Sequence, residues 1–275
     1  MLRTTGRHLQ GALRREFSAK AGAGGVAGAK ITGVARFYKD VGVKEVEQDG
    51  QQLFAVTLDG KTAKTGARTP VRLPSKSLAL AVAHEWDAQD KDIRPSTMPI
   101  MSLASTALDL GKTSSKKELV DEMMHYFHTD TVCYQVTADQ QDKLAALQQK
   151  KWNPIRQWFA ETFAGDVDVS HGTINGLTHS EEVVKNVRAH LEQLNDYEMV
   201  SLRLATKECK SLITSVALLK RHITAKDAMD LSRLEEEFQI GRWGLVEGGH
   251  DLDRVNCAVN LSSASFMLWL FQNGY

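Results

Sequence analysis

Cysteine, proline and any excess of one charge are all scarce in this chain. Its 275 residues include three cysteines, Cys133, Cys209 and Cys257. They are odd in number and far apart, so they give neither a disulfide framework nor a Cys-x-x-Cys ligand pair. Buried free thiols are the simple reading. Lys+Arg and Asp+Glu are equal at 34 each, which leaves no basic footprint for nucleic acid and no field to steer a polyanion. No apolar run approaches the roughly 20 residues that span a bilayer. The longest, Phe266 to Phe271, reads as the end of a core helix or an apolar docking edge. A Gly-x-Gly-x-x-Gly fingerprint, a phosphate loop and a Gly-x-Ser-x-Gly elbow are also missing. No cofactor is therefore expected. What is present is ordinary: 42% hydrophobic and 25% charged residues, enough for a core that needs no disulfide or metal.

The first residues differ from the rest. Arg3, Arg7, Arg14, Arg15 and Lys20 face one acid, Glu16, among sparse leucines. This basic, acid-poor character is that of a mitochondrial transit peptide, not of a secretory signal with its unbroken apolar stretch. Arg15-Glu16-Phe17-Ser18 suggests cleavage after Phe17, and Ala21 to Ala29 reads as a flexible spacer. Residues 1–30 are excluded from the expected fold.

Two periodicities follow. From Ile31 to Leu73 the pattern is strand-like, with Asp49-Gly50 and Asp59-Gly60 between apolar runs. Asp-Gly favours tight hairpins because glycine adopts positive φ without a Cβ clash. A small antiparallel meander is expected, covered on one face by a following helix. Leu78, Val82 and Trp86 lie within about 80° of one another on that helix, with Ser75 or Ser77 as its N-cap. Gly111 to Ser115 is a polar break, taken as a domain boundary. The expected organisation is α+β: a β-rich N-terminal domain at 31–112 with its packed helix, then a larger all-helical domain at 113–275. In the second part, Asn153-Pro154 reads as a helix start, Leu202 to Leu219 as one long central helix, and Thr224 to Asp227 as a capping box.

Chemistry-bearing clusters are few. His125 and His128 lack a third ligand at any known spacing, and Asp87, Asp90 and Asp92 lack the glycine and terminal glutamate of a calcium loop. Both sets read as solvated surface, and no metal is expected. One anomaly stands out. On a helix through Leu231, Leu234 and Phe238, Glu235 falls about 40° from Leu231, inside the apolar face, while Glu236 and Glu237 point away. A carboxylate there needs a partner. That partner is either a basic side chain of this chain or a donor supplied by another protein. A catalytic acid would need a second titrating group, and none is apparent.

Ser232 to Gln239 followed by Trp243-Gly244 is similar to the C-terminal signature of the mitochondrial F1-ATPase assembly factor 2 family. Asp59-Gly60-Lys61, Lys64-Thr65, Leu73-Pro74 and Glu85 to Gln89 resemble that family's N-terminal signature. Met98-Pro99, Thr106 to Asp109, Asp130-Thr131 and Trp152-Asn153-Pro154 follow in the same order. The resemblance implies a non-enzymatic chaperone of the mitochondrial matrix. It would bind the unassembled F1 alpha subunit, without nucleic acid or membrane insertion, and be a monomer when free. It implies partner-binding roles for Glu235, Glu236 and Gln239 and a structural role for Trp86. The competing expectation is a matrix enzyme of unrecognised mechanism.

Overall fold

The computed structural model describes residues 34–273. The leader and spacer expected at 1–30 lie outside them. Two eight-residue strands, β1 (Val41–Gln48) and β2 (Gln51–Leu58), pair antiparallel in the register Gln48↔Gln51 to Val41↔Leu58. Asp49 and Gly50 both carry positive φ, at 52° and 75°, as a two-residue turn matched to strand twist requires. Asp59 and Gly60 repeat this at 47° and 76° and lead into β3 (Lys61–Thr62). The Asp59 carboxylate also accepts from the amides of Lys39 and Asp40, each at 2.9 Å, which holds its pKa down. β4 (Arg72–Leu73) pairs with the other half of the β2 edge. Both hairpins expected from Asp-Gly are thus present.

The sheet's buried face is closed by α1 (Lys76–Asp87) and α2 (Pro99–Thr113). Ser75 caps α1 by accepting from Leu78 N at 3.1 Å and also donates to the carbonyl of Leu270, far along the chain. Glu85 reaches across to the amides of Ile100 and Met101, at 2.8 and 2.6 Å, and so caps α2. Trp86 is half-buried against the core. Tyr38 packs its ring edge-on to the Trp86 indole, with centroids 5.5 Å apart, and donates to the Trp86 carbonyl at 2.7 Å. Arg36 pins the same corner by donating to the carbonyls of Tyr38, Lys39, Asp87 and Gln89.

The remaining helices are α3 (Lys116–His128), α4 (Ala138–Thr162), α5 (Glu181–Gln193), α6 (Asp196–Cys209), α7 (Leu212–Leu219), α8 (Ala225–Ser232), α9 (Leu234–Trp243) and α10 (His250–Gln272). The α+β arrangement is as expected, a small antiparallel sheet followed by helices. One detail departs from an all-helical second part: β5 (Tyr134–Gln135) and β6 (Ser170–His171) form a two-residue parallel ladder. A continuous apolar core runs from Tyr38 on the sheet side to Leu270 in α10. The change of pattern near Gly111 falls at the α2–α3 turn, where Ser115 and Glu118 form a capping box. The capping box expected at Thr224 to Asp227 is also formed and opens α8.

Two helix expectations need correction. Pro154 does not start a helix; it sits inside α4. Trp152, Ile155 and Phe159 bury one continuous face across it, and Lys150, the residue whose carbonyl the missing N–H would have met, is exposed to water. Nor is Leu202 to Leu219 one helix. Lys210 adopts a left-handed conformation (φ 53°, ψ 29°) that ends α6, and Ser211 caps α7 by accepting from Thr214 N at 3.0 Å. The new helix N-terminus is met by Asp130, which is fully buried. Its carboxylate accepts from Ile213 N at 3.0 Å and from Val132 N at 3.2 Å. Burial outweighs these bonds and pushes its pKa up to about 7.

Folded Asp130 therefore keeps its proton up to about pH 7, whereas the unfolded carboxylate loses it near pH 4. Between those values the folded state holds the extra proton, so stability from this group falls as pH rises. Asp130→Asn has no such proton. Measured by urea midpoints, the stability of wild type relative to Asp130→Asn should decline from about pH 4 to about pH 7. A difference constant with pH would contradict this. Trp86→Arg places a cation against Tyr38 and the core. It should cost about 3 kcal/mol, seen as lower soluble yield and a fall of roughly 6–12 °C in Tm. An unchanged Tm would refute the packing role.

Candidate functional site

The site is built around α9, whose first turn contains three consecutive glutamates. The helix assumed through Leu231 and Phe238 is interrupted. Arg233 (φ −102°, ψ 9°) separates α8 from α9, so the continuous projection does not hold. The break has a local cause. Ser232 folds its hydroxyl back onto the Met229 carbonyl at 3.0 Å, and the Arg233 side chain is drawn inward onto its own downstream glutamates. Glu235 nevertheless comes out half-buried, as the projection suggested.

The three glutamates have different fates. Glu236 accepts from Arg233 at 2.6 Å. Glu237 is held in a two-pronged pair by Arg254 of α10 and is also reached by Arg233 at 3.4 Å, so its pKa is lowered. These pairs tie α9 to the start of α10. Glu235 has no cation. Among the described residues its only hydrogen-bond partner is the neutral amide of Gln148 on α4, whose Nε2 donates to Oε1 at 2.6 Å. Burial raises the Glu235 pKa, and the Gln148 bond only partly offsets this. Gln148 is itself fully buried, and its Oε1 accepts from Val136 N at 2.9 Å. That second bond fixes the amide's orientation, so it cannot rotate to offer Glu235 anything but its donor. The internal partner exists, but it is an amide and not the basic side chain considered from sequence. Among the described residues, no hydrogen bond reaches the second carboxylate oxygen of Glu235.

The surface beside α9 carries an open, largely apolar groove. Leu147 of α4, Ile223, Leu231 of α8, and Leu234 and Phe238 of α9 line a groove of about 530 Å³, rimmed by Lys151, Asp227, Asp230 and Glu237. A neighbouring depression of about 520 Å³, bounded by Gln141, Lys143, Gly241 and Arg242, lies on the other side of Phe238. Phe238 thus stands as a ridge between two hollows. Gln239 is exposed on the same helix, and Trp243 at its end is 72% exposed. Trp86 lies in α1 and packs on the sheet side; nothing joins its side chain to the α9 group.

Sequence reasoning found Glu235 among Leu234 and Phe238 but missed Gln148, Arg233 and Arg254 as its surroundings. No local pattern connects Gln148 to Glu235, because 87 residues separate them. The spacing of Arg233 to Glu236 and Glu237 was readable as helical i,i+3 and i,i+4 pairs. Among the described residues, no cluster of His, Cys, Asp and Glu has the geometry to hold a metal ion. His125 and His128 are exposed on α3, and His128 stacks toward His179 with ring centroids 6.0 Å apart.

Comparison with known proteins gives a consistent result. The model of a family described as ATP12 chaperone protein matches residues 35–160, from the strand region into α4. The mitochondrial protein atp12 of Schizosaccharomyces pombe is 28% identical over 240 residues, covering 84% of this chain and 81% of that protein. Mitochondrial ATP12 of Saccharomyces cerevisiae is 23% identical, covering 84% and 82%. The crystal structure of Atp12 from Paracoccus denitrificans superposes with a TM-score of 0.77 at 27% identity, over 86% of this chain and 98% of that one. The Atu1473 protein of Agrobacterium tumefaciens gives 0.76 at 26% identity, over 87% and 86%. The relatives and the solved folds cover far more of the chain than the segment matched by the family model. Family model, fungal relatives and bacterial folds thus agree: the chain is similar to ATP12 chaperones over most of its length.

Proposed function

We propose that this chain is an assembly chaperone of the mitochondrial ATP synthase, acting in the matrix, that holds the unassembled alpha subunit of F1 until its proper neighbour replaces it. The match to the ATP12 chaperone family over residues 35–160 and the mitochondrial names of the similar fungal proteins support the general role. The choice of the alpha subunit rests on the resemblance of Ser232 to Gln239 and Glu85 to Gln89 to the family's signatures.

The observation that carries the reading is the state of Glu235. Its two neighbours are paired by arginines, while among the described residues Glu235 is met only by a neutral amide, on the same helix whose Leu234 and Phe238 line an apolar groove. A carboxylate left this way has been desolvated at a cost that the folded chain does not recover. An incoming basic or N–H donor would recover it on binding, and charge-assisted bonds made in a water-poor groove are strong. The apolar walls supply area, and the carboxylate supplies register. A general acid would instead need a second titrating group converging on the same spot, and the acidic groups on the groove rim are already committed: Glu237 to Arg254, Asp227 to the Thr224 cap and Asp230 to Lys226.

Two substitutions test this. Glu235→Gln keeps an acceptor for Gln148 and removes the charge. Glu235→Lys opposes Gln148 Nε2 with another donor and reverses the charge. Both should remain folded, with Tm within a few degrees of wild type. Capture of unassembled alpha subunit should weaken for Gln and be lost for Lys. If Glu235→Lys unfolds outright, the glutamate is an internal structural partner and the proposal fails.

A further inference from the structure

α10 presents two apolar faces, and the folded chain covers one of them. Cys257, Leu261, Ala264, Met267 and Leu268 point inward and are buried. Leu252, Val255, Val259, Phe266 and Trp269 point outward and are 43–61% exposed. With the exposed Ser262, the outer set recurs at intervals of three, four, three, four and three residues. At 100° per residue these six positions occupy an arc of about 100° centred opposite Cys257 and Ala264, with the buried Leu270 at its edge. Phe266 and Trp269 stack with their planes 11° apart, which keeps a flat aromatic surface at the C-terminal end. From Val255 to Asn273 there is no charged residue at all.

An a/d alternation of this kind accepts knobs from a second α-helix lying nearly parallel to it. An extended strand would match a repeat of two instead. We infer that the outer face of α10 is a second docking surface of the chaperone, occupied by one apolar, uncharged α-helix of the client subunit; this rests on the client-binding reading above. Three observations select that occupant. The spacing specifies a helix. From Val255 onward the absence of charges along the flanks provides no e/g-type pairs to select a charged partner. The exposed side chains offer roughly 500 Å² of apolar surface, large for a monomer but short of what a stable symmetric dimer buries on each side. A membrane surface is disfavoured because α10 has no lysine or arginine beyond Arg254 on its polar flank. The Glu237–Arg254 pair places the N-terminal end of α10 beside α9, the helix that carries Glu235.

The test uses the otherwise unaltered chain with unassembled F1 alpha subunit as the probe. Val259→Asp and Phe266→Asp put a charge into the seam without touching the buried face. Each should lower capture of the alpha subunit by about tenfold or more while leaving Tm and circular dichroism unchanged. Asn256→Asp, on the polar flank, should bind as wild type. A photo-crosslinking residue at 259 or 266 should label a helical segment of the client. Full capture by both seam variants, with Glu235→Lys still abolishing it, overturns this inference and leaves the proposed function standing. Failure of the wild-type chain to capture the alpha subunit overturns both. A dimer of this chain, or vesicle binding, that Val259→Asp abolishes overturns the choice of occupant.

Discussion

α10 is the element on which the rest of the structure depends. Its inner face closes the helical core against α6 and α8 and reaches the sheet side through α1 and α2. The Leu270 carbonyl even accepts from Ser75, the N-cap of α1, across 195 residues of sequence. Burial of Leu261, Ala264 and Met267 contributes on the order of 1–3 kcal/mol for each large side chain, so the inner face alone holds this helix in place. The outer face is then free of structural duty. A helix anchored on one side can keep an apolar stripe in water on the other without collapsing onto its own core.

Electrostatics at the α8–α9 break follow the same division. Arg233 and Arg254 are spent on Glu236 and Glu237, which fixes α9 relative to α10. Glu235 receives only an amide that is locked by Val136. Partial desolvation without a counter-charge is costly in a finished interior and useful in a site waiting for a partner. The protein thus separates groups that satisfy themselves from groups left incomplete, and both incomplete features, the carboxylate and the seam, belong to the last two helices.

Much of this was legible in the sequence. Asp49-Gly50 and Asp59-Gly60 specified their hairpins because only a narrow set of turns joins two strands so closely. Ser75 and Thr224 announced helix starts through cap chemistry. The misses also have physical causes. Lys210 and Ser211 end one helix and begin another inside an apolar stretch, and a left-handed lysine has no local signature. Pro154 looked like a boundary, but tertiary burial of Trp152 and Phe159 carried the helix through it. The three-four spacing of Leu252 to Trp269 stands in the sequence, yet α10 is apolar on both sides. Periodicity alone could not say which side the core would take. Gln148 was invisible because its value lies in a contact across 87 residues.

The central claim is that a client meets this protein at α9 and the outer face of α10. Hydrogen–deuterium exchange of the chain, alone and with unassembled alpha subunit, addresses it most directly. The account predicts slowed exchange across residues 234–272 on client addition, with the β1–β2 hairpin unaffected. Protection confined to the hairpin, or no change across α9 and α10 while the complex is demonstrably formed, would contradict it.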